Sequence, residues 1–198
     1  MAPMSVTEYT PQQHAAMLAL AREGVCQAVR TGHVLLPDLA GMDDYLQALR
    51  ACFVTLDSMG ELRGCIGSLN PSRPLAHDLL HNACGAALHD YRFPPLQASE
   101  PIQLSISILS PLEEIDFTCE AELLEKLQPG RDGLLLQAGR NRATFLPVVW
   151  QGLPAPELFL RALKRKAALP VDYWSDQVRA WRYRSEYFSE EGERPACD

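Results

Sequence analysis

The sequence predicts an α+β fold with a largely antiparallel sheet, and three observations lead there. Strand-like runs come in adjacent pairs joined by glycine turns. Helical runs fall between those pairs rather than after every strand, and no Gly-rich phosphate fingerprint opens a helix. With 198 residues, 47% hydrophobic and 22% charged, the chain can bury a sizeable core, which excludes disorder over most of its length.

The first helix is signalled by Thr10-Pro11-Gln12-Gln13, a capping box with proline at the first helical position. Ala15, Leu18, Ala21, Val25 and Val29 recur at helical spacing, and Gly32 ends the run. Pro37 and Gly41 break the next stretch, leaving a short helix around 43–50. A hairpin follows, CFVTLD (52–57) and ELRGCIGSL (61–69) around Met59-Gly60. A proline loop leads into a helix over 74–90, with Ala76, Leu79, Leu80, Ala83 and Ala87 on its apolar face. His77, Asp78, His81, Asn82 and His89 fall on the other side of that helix. QLSISIL (103–109) alternates as a half-buried strand, and 121–127 is a short acidic helix.

The second half repeats the earlier order: strand 133–138, a Gly139 turn, strand 142–150, a proline loop and helix 155–169. The near-constant offset between segments 52–90 and 133–169 reads as an internal duplication, with shared use of a common motif as the alternative. VRAWRYRSEYF (178–188) alternates as a final strand, and 191–198 is expected to be a flexible tail.

Charge is unevenly spread. Residues 101–130 carry −5, 131–184 carry +6 and 185–198 carry −4. The basic stretch is either an anion-binding face or a solvated helix whose side chains pair with nearby acids. A net charge of −7 and a pI near 5.2 argue against duplex DNA as a partner and leave a small anionic ligand open. No apolar run approaches the roughly 20 residues of a membrane span. The opening MAPMSVTEYTPQQH lacks a basic stretch followed by an apolar core. A cytoplasmic chain with reduced thiols is therefore expected, and its six cysteines include no CxxC pair.

The densest chemical feature is Leu62-Arg63-Gly64-Cys65-Ile66-Gly67. Strand alternation would put Arg63 and Cys65 on one face, where a guanidinium favours a nucleophilic thiolate. Gly64 and Gly67 would leave room for a ligand to approach the backbone. The competing reading is a small buried cysteine beside an arginine paired with a carboxylate. His77-Asp78-Leu79-Leu80-His81 mimics a zinc-protease helix, with Cys84 one turn on, but lacks the glutamate and a third ligand, so no metal is expected. Asp90-Tyr91-Arg92-Phe93 ends the helix over 74–90, where Arg92 either caps carbonyls or reaches into a site. Pro147 implies an edge or bulge, and Trp150 either lines an aromatic pocket or sits in the core.

Taken together, LRGCIGSL, DYRFPPL, LSISILSPLEEI, GRDGLLL, FLPVVW and FLRALKRKAAL resemble the AMMECR family, whose prokaryotic members are the A proteins of the AmmeMemoRadiSam system. The similarity spans roughly Val6 to Glu190. It implies one domain over 6–190 in which two hairpin–helix repeats share one barrel-like sheet, and it implies LRGCIG as the hallmark site, with the Asp90, Arg92 and Phe93 motif also typical. It also implies Memo-type and radical-SAM proteins as associates and no established activity. Two positions depart from the family pattern: Val148 replaces a glutamine, and Ala168 replaces a glycine, which predicts a differently terminated helix.

Three functions are compatible with these residues. One is an enzyme with a Cys65 thiolate assisted by Arg63, with Lys166 or Arg92 aiding, on a small anionic or carbonyl-bearing ligand. The second is a binding module for a nucleotide, RNA or protein. The third is an accessory subunit to a radical-SAM enzyme. No cofactor is legible.

Overall fold

A computed structural model describes residues 8–197. The expected domain start at Val6, and the residues before Glu8 that were read for an export signal, lie outside the described part. Among the described residues no helix is long and apolar enough to cross a membrane. The chain forms two compact units: residues up to Leu109 join those from Glu186 onward, and Ser110–Ser185 form the second.

In the first unit, α1 (Pro11–Thr31) starts at the expected box, with Thr10 and Gln13 capping each other, and ends at Gly32 with φ 80°. Its buried face is Met17, Ala21, Gly24, Val25 and Ala28, turned by about one residue from the expected stripe. Gly24 causes the turn: a Cβ there would lie 2.9 Å from Leu80, so this is where α3 (Leu75–Leu88) crosses closely. A short α2 (Asp44–Gln47) precedes the hairpin β1 (Cys52–Ser58) and β2 (Glu61–Gly67). With β3 (Pro101–Leu109), β8 (Ser185–Ser189) and β9 (Arg194–Pro195) they build a sheet ordered β2-β1-β3-β8, with β9 also on β3. Helix α3 buries Leu75, Leu79 and Ala83 in the same core as Val54, Leu56, Leu104 and Ile106.

The second unit has a sheet ordered β4-β7-β5-β6, from β4 (Glu113–Ile115), β5 (Gly133–Ala138), β6 (Asn141–Phe145) and β7 (Val178–Tyr183). Helices α4 (Glu120–Lys126) and α5 (Pro156–Lys166) contribute Leu123, Phe159, Leu160 and Leu163 to its core.

The α+β class with antiparallel pairing is as expected, but the single barrel-like sheet is not. Each hairpin is completed by its own third strand, β3 along β1 and β7 along β5, so the two hairpins lie in separate open sheets. The order hairpin then helix recurs, yet it does not place the two segments in one sheet, and the duplication drawn from it loses that support. The strand expected over 142–150 stops at Phe145, because Pro147 cannot donate to a ladder and instead opens a 3-10 helix, Pro147–Gln151. The last strand expected over 178–188 divides at Arg184 into β7 and β8, one in each sheet. Within the segment expected to be a flexible tail, Arg194–Pro195 pair with β3, and Ala196 is 0% exposed.

Helix α5 ends in a left-handed turn at an alanine. Ala168 takes φ 56°, with Leu169 N–H donating to Lys164 O at 2.9 Å and Ala168 N–H to Arg165 O at 3.0 Å. These bonds and the Asn141 amide on the Ala167 carbonyl (2.7 Å) hold the turn. A left-handed alanine costs about 1 kcal/mol that glycine does not. Ala168→Gly is therefore expected to raise stability by about that amount in denaturant titration, and a loss of stability would contradict this backbone geometry.

Candidate functional site

The hairpin register sets the site. Ser58 pairs with Glu61 and Asp57 with Leu62, but Leu56 pairs with Gly64, so Arg63 is the extra residue of a β-bulge. The bulge breaks the alternation that would have put Arg63 and Cys65 together. Arg63 turns to Glu100 instead, with Nε and Nη2 donating to its two carboxylate oxygens, and lies 6.0 Å from the Phe93 ring centre. The expected Arg63–thiolate pair is thus replaced by an Arg63–Glu100 ion pair.

Cys65, partly exposed, is held by other groups. Its backbone N–H donates to Asp90 Oδ2 (2.9 Å), and the hydroxyl of its cross-strand partner Thr55 donates to Sγ (3.1 Å). Arg92 brings the nearer guanidinium: Nη2 donates to Cys65 O (3.4 Å) and to Asp90 Oδ2 (2.6 Å), and Nε to Asp90 Oδ1 (2.9 Å). Arg92 also lies 5.4 Å from the Phe93 ring centre, so the ring has a guanidinium from each arginine within cation–π range. Asp90 is 4% exposed, and the Arg92 guanidinium, with the Cys65 and Arg92 N–H groups, holds its carboxyl well below the usual range against the cost of burial. Cys65, Asp90, Arg92 and Phe93 therefore form one cluster, with Arg63 at its edge.

Thr55 and Glu100 belong to this cluster and escaped sequence reading. A regular two-residue hairpin around Met59-Gly60 would set Thr55 opposite Gly64; the bulge moves it to Cys65. Nothing local marks Glu100, which lies 37 residues from Arg63.

The glycines serve packing and leave no room for a ligand. A Cβ on Gly64 would lie 2.2 Å from the Ala86 carbonyl oxygen, and one on Gly67 would lie 2.2 Å from the Phe53 ring. The chain itself fills both spaces, α3 against one and β1 against the other.

A second correction concerns α3. Asp78 and Asn82, expected on the outer side, are buried. Asp78 Oδ2 accepts from Cys52 N–H (3.0 Å), the Cys52 thiol (3.3 Å), the Ser68 hydroxyl (2.5 Å) and the Asn82 amide (3.0 Å), while Arg73 Nε lies 3.5 Å from Oδ1. The carboxylate thereby ties the start of β1 to the end of β2 and to α3. His77 meets the Pro37 carbonyl oxygen (3.0 Å), and burial followed by Arg73 pushes His81 below its usual value. Among the described residues no group of three metal-ligating side chains is assembled.

Pro147, Trp150 and Lys166 lie in the second unit. Trp150 is a core residue: its Nε1–H donates to Asp132 O (2.7 Å) and its ring stacks on Phe159 at 3.7 Å. Lys166 donates to Thr144 O (3.0 Å) over the Phe145 ring. Three basic side chains of this segment pair with acids of the one before it. Lys164 pairs with Glu120 (2.8 Å), Arg179 with Glu114 (2.7 Å) and Arg182 with Glu113 (2.5 Å). These pairs favour the solvated, internally matched reading of the +6 stretch over an anion-binding face.

Residues 18–188 match the family model AMMECR1. A protein of Methanothermobacter thermautotrophicus is 34% identical over 183 residues, covering 89% of this chain and 93% of its own. Protein MJ0810 of Methanocaldococcus jannaschii is 40% identical over 151 residues, 71% of this chain and 73% of its own. The crystal structure of the uncharacterized protein PH0010 from Pyrococcus horikoshii is similar with a TM-score of 0.84 at 28% identity, over 97% of each chain.

Proposed function

The chain belongs to the AMMECR1 family, and on that premise we propose that Cys65 is the nucleophile of a thiol-dependent activity on a small carbonyl-bearing or anionic ligand. The observation that carries this reading is the Thr55 hydroxyl donating to the Cys65 sulfur (3.1 Å), with the Asp90–Arg92 pair latched to the same residue's N–H and C=O. A hydroxyl donor and a guanidinium both reward negative charge on sulfur and on an oxygen beside it.

Arg92 takes the role expected of Arg63. Asp90 binds its Nε and Nη2, and the side chain is 42% exposed, so Nη1 remains for a ligand. Attack would form a C–S bond while the carbonyl π pair moves to oxygen, where Arg92 supports the charge. Arg63 and Phe93 would then shape the rim, with Arg63 fixed by Glu100.

Alkylation by iodoacetamide near neutral pH tests this, read for each cysteine by peptide mass. Cys119 is exposed and sets the rate that access alone allows. Cys65 is expected to react several-fold faster than Cys119. Thr55→Val should slow Cys65 about 5-fold, the worth of one hydrogen bond of about 1 kcal/mol, and leave Cys119 unchanged. Arg92→Met should slow it as well. A Cys65 slower than Cys119 and indifferent to Thr55→Val would remove the nucleophile. The chain would then be read as a binding or accessory module, with the Memo-type and radical-SAM partners that its family resemblance implies.

A further inference from the structure

The two cysteines furthest apart in the chain meet in the first unit. Cys26 lies on the partly buried side of α1, and Cys197 follows the buried Ala196. The Cys197 N–H donates to Ala98 O (3.1 Å), which fixes its backbone against the segment entering β3. Its thiol then reaches the Cys26 carbonyl oxygen at 3.5 Å. The chain leading to Cys197 is also anchored: Glu190 accepts from Arg22 of α1, Arg194 (2.8 Å) and the Leu104 N–H (2.9 Å). Two partly exposed cysteines, the thiol of one against the carbonyl of the other, are thus neighbours on elements that packing already fixes.

We propose that Cys26 and Cys197 form an oxidation site, where a hydroperoxide closes a disulfide that fastens the C-terminal segment to α1. One thiolate attacks a peroxide oxygen, giving a sulfenic acid and releasing water or the corresponding alcohol. The second thiolate attacks that sulfur, the S–S bond forms, and hydroxide leaves and is protonated to water. Two thiols are oxidised and one peroxide is reduced. In a reducing compartment such a bond is transient, which suits a regulatory role.

The bond would act on a groove of about 770 Å³ between α1 and the chain after β8, one wall of which is Phe188–Arg194. Closing the ring fixes the far end of that wall. Burial and the Cys26 hydrogen bond push the Cys197 thiol up to about 11, so closure is slow at neutral pH and quickens as pH rises.

The test uses the reduced full-length chain with hydrogen peroxide or diamide as oxidant at about pH 8.5. The expected result is a loss of about 2 Da, one cross-linked peptide joining Cys26 and Cys197, reversal by dithiothreitol, and a higher Tm. Cys26→Ser and Cys197→Ser should each abolish it, whereas Cys65→Ser should close as fast as the parent, which keeps the outcome separate from the Cys65 reading. Thiols that stay free under these conditions, or a first bond to another cysteine or a second chain, would overturn the proposal.

Discussion

Gly64→Ala is expected to destabilise the first unit by about 3 kcal/mol or more, seen as a lower midpoint in denaturant unfolding. The added methyl would lie 2.2 Å from the Ala86 carbonyl oxygen, closer than a Cβ can approach a backbone atom. No side-chain rotation relieves this contact, so β2 or α3 must move. That movement would also shift Cys65, one residue on, and its bond to Asp90, so alkylation of Cys65 should change in the surviving folded fraction. Gly139→Ala supplies the contrast. Gly139 has φ +58° in open space, and only the strain of a left-handed alanine applies, about 1 kcal/mol. Equal losses at the two positions would show that α3 does not press on β2 as described.

Asp78→Ala should cost about 3 kcal/mol or more, because several buried donors lose one shared acceptor and an unsatisfied buried donor costs about 1–3 kcal/mol. Asp78 is 1% exposed, and truncation leaves the Cys52 N–H, the Ser68 hydroxyl and the Asn82 amide without their shared acceptor. Asp78→Asn keeps one acceptor oxygen at nearly the same place and should cost clearly less. The comparison separates the network from simple volume: if alanine and asparagine were equally mild, the carboxylate would not be what joins β1, β2 and α3.

Much of the local structure was legible because it is written in short-range chemistry. The Thr10 capping box, the Met59-Gly60 turn, the apolar face of α3 and the hairpin over 133–145 all follow from contacts within a few residues. LRGCIG with DYRF also marked the cluster that forms around Cys65, because family resemblance records which residues occur together even when their geometry is unknown.

Other features escaped because their cause lies elsewhere in the chain. Strand alternation assumes a regular ladder, and one inserted residue at Arg63 reversed the facing of the arginine that seemed to serve the thiol. Gly64 and Gly67 look alike whether a ligand or the chain's own backbone comes close. Only the position of Ala86 on α3 and Phe53 on β1 decides between them. Asp78 and Asn82 read as surface because polar side chains usually are, yet the unpaired N–H at the start of β1 needed a buried acceptor.

By itself, the amino-acid sequence determined the α+β class, the extent of most helices and strands, the family, and Cys65 with Asp90 and Arg92 as the residues to inspect. Propensity, capping and period act over a turn or a strand, so these properties are carried by neighbours in the chain. The tertiary structure alone decided that the two hairpins sit in separate sheets, that Thr55 meets the Cys65 sulfur and Arg92 its carbonyl oxygen while Arg63 turns to Glu100, and that Cys197 returns to Cys26. Each of those depends on which distant segment offers the matching backbone edge or donor, and local pattern does not encode that choice.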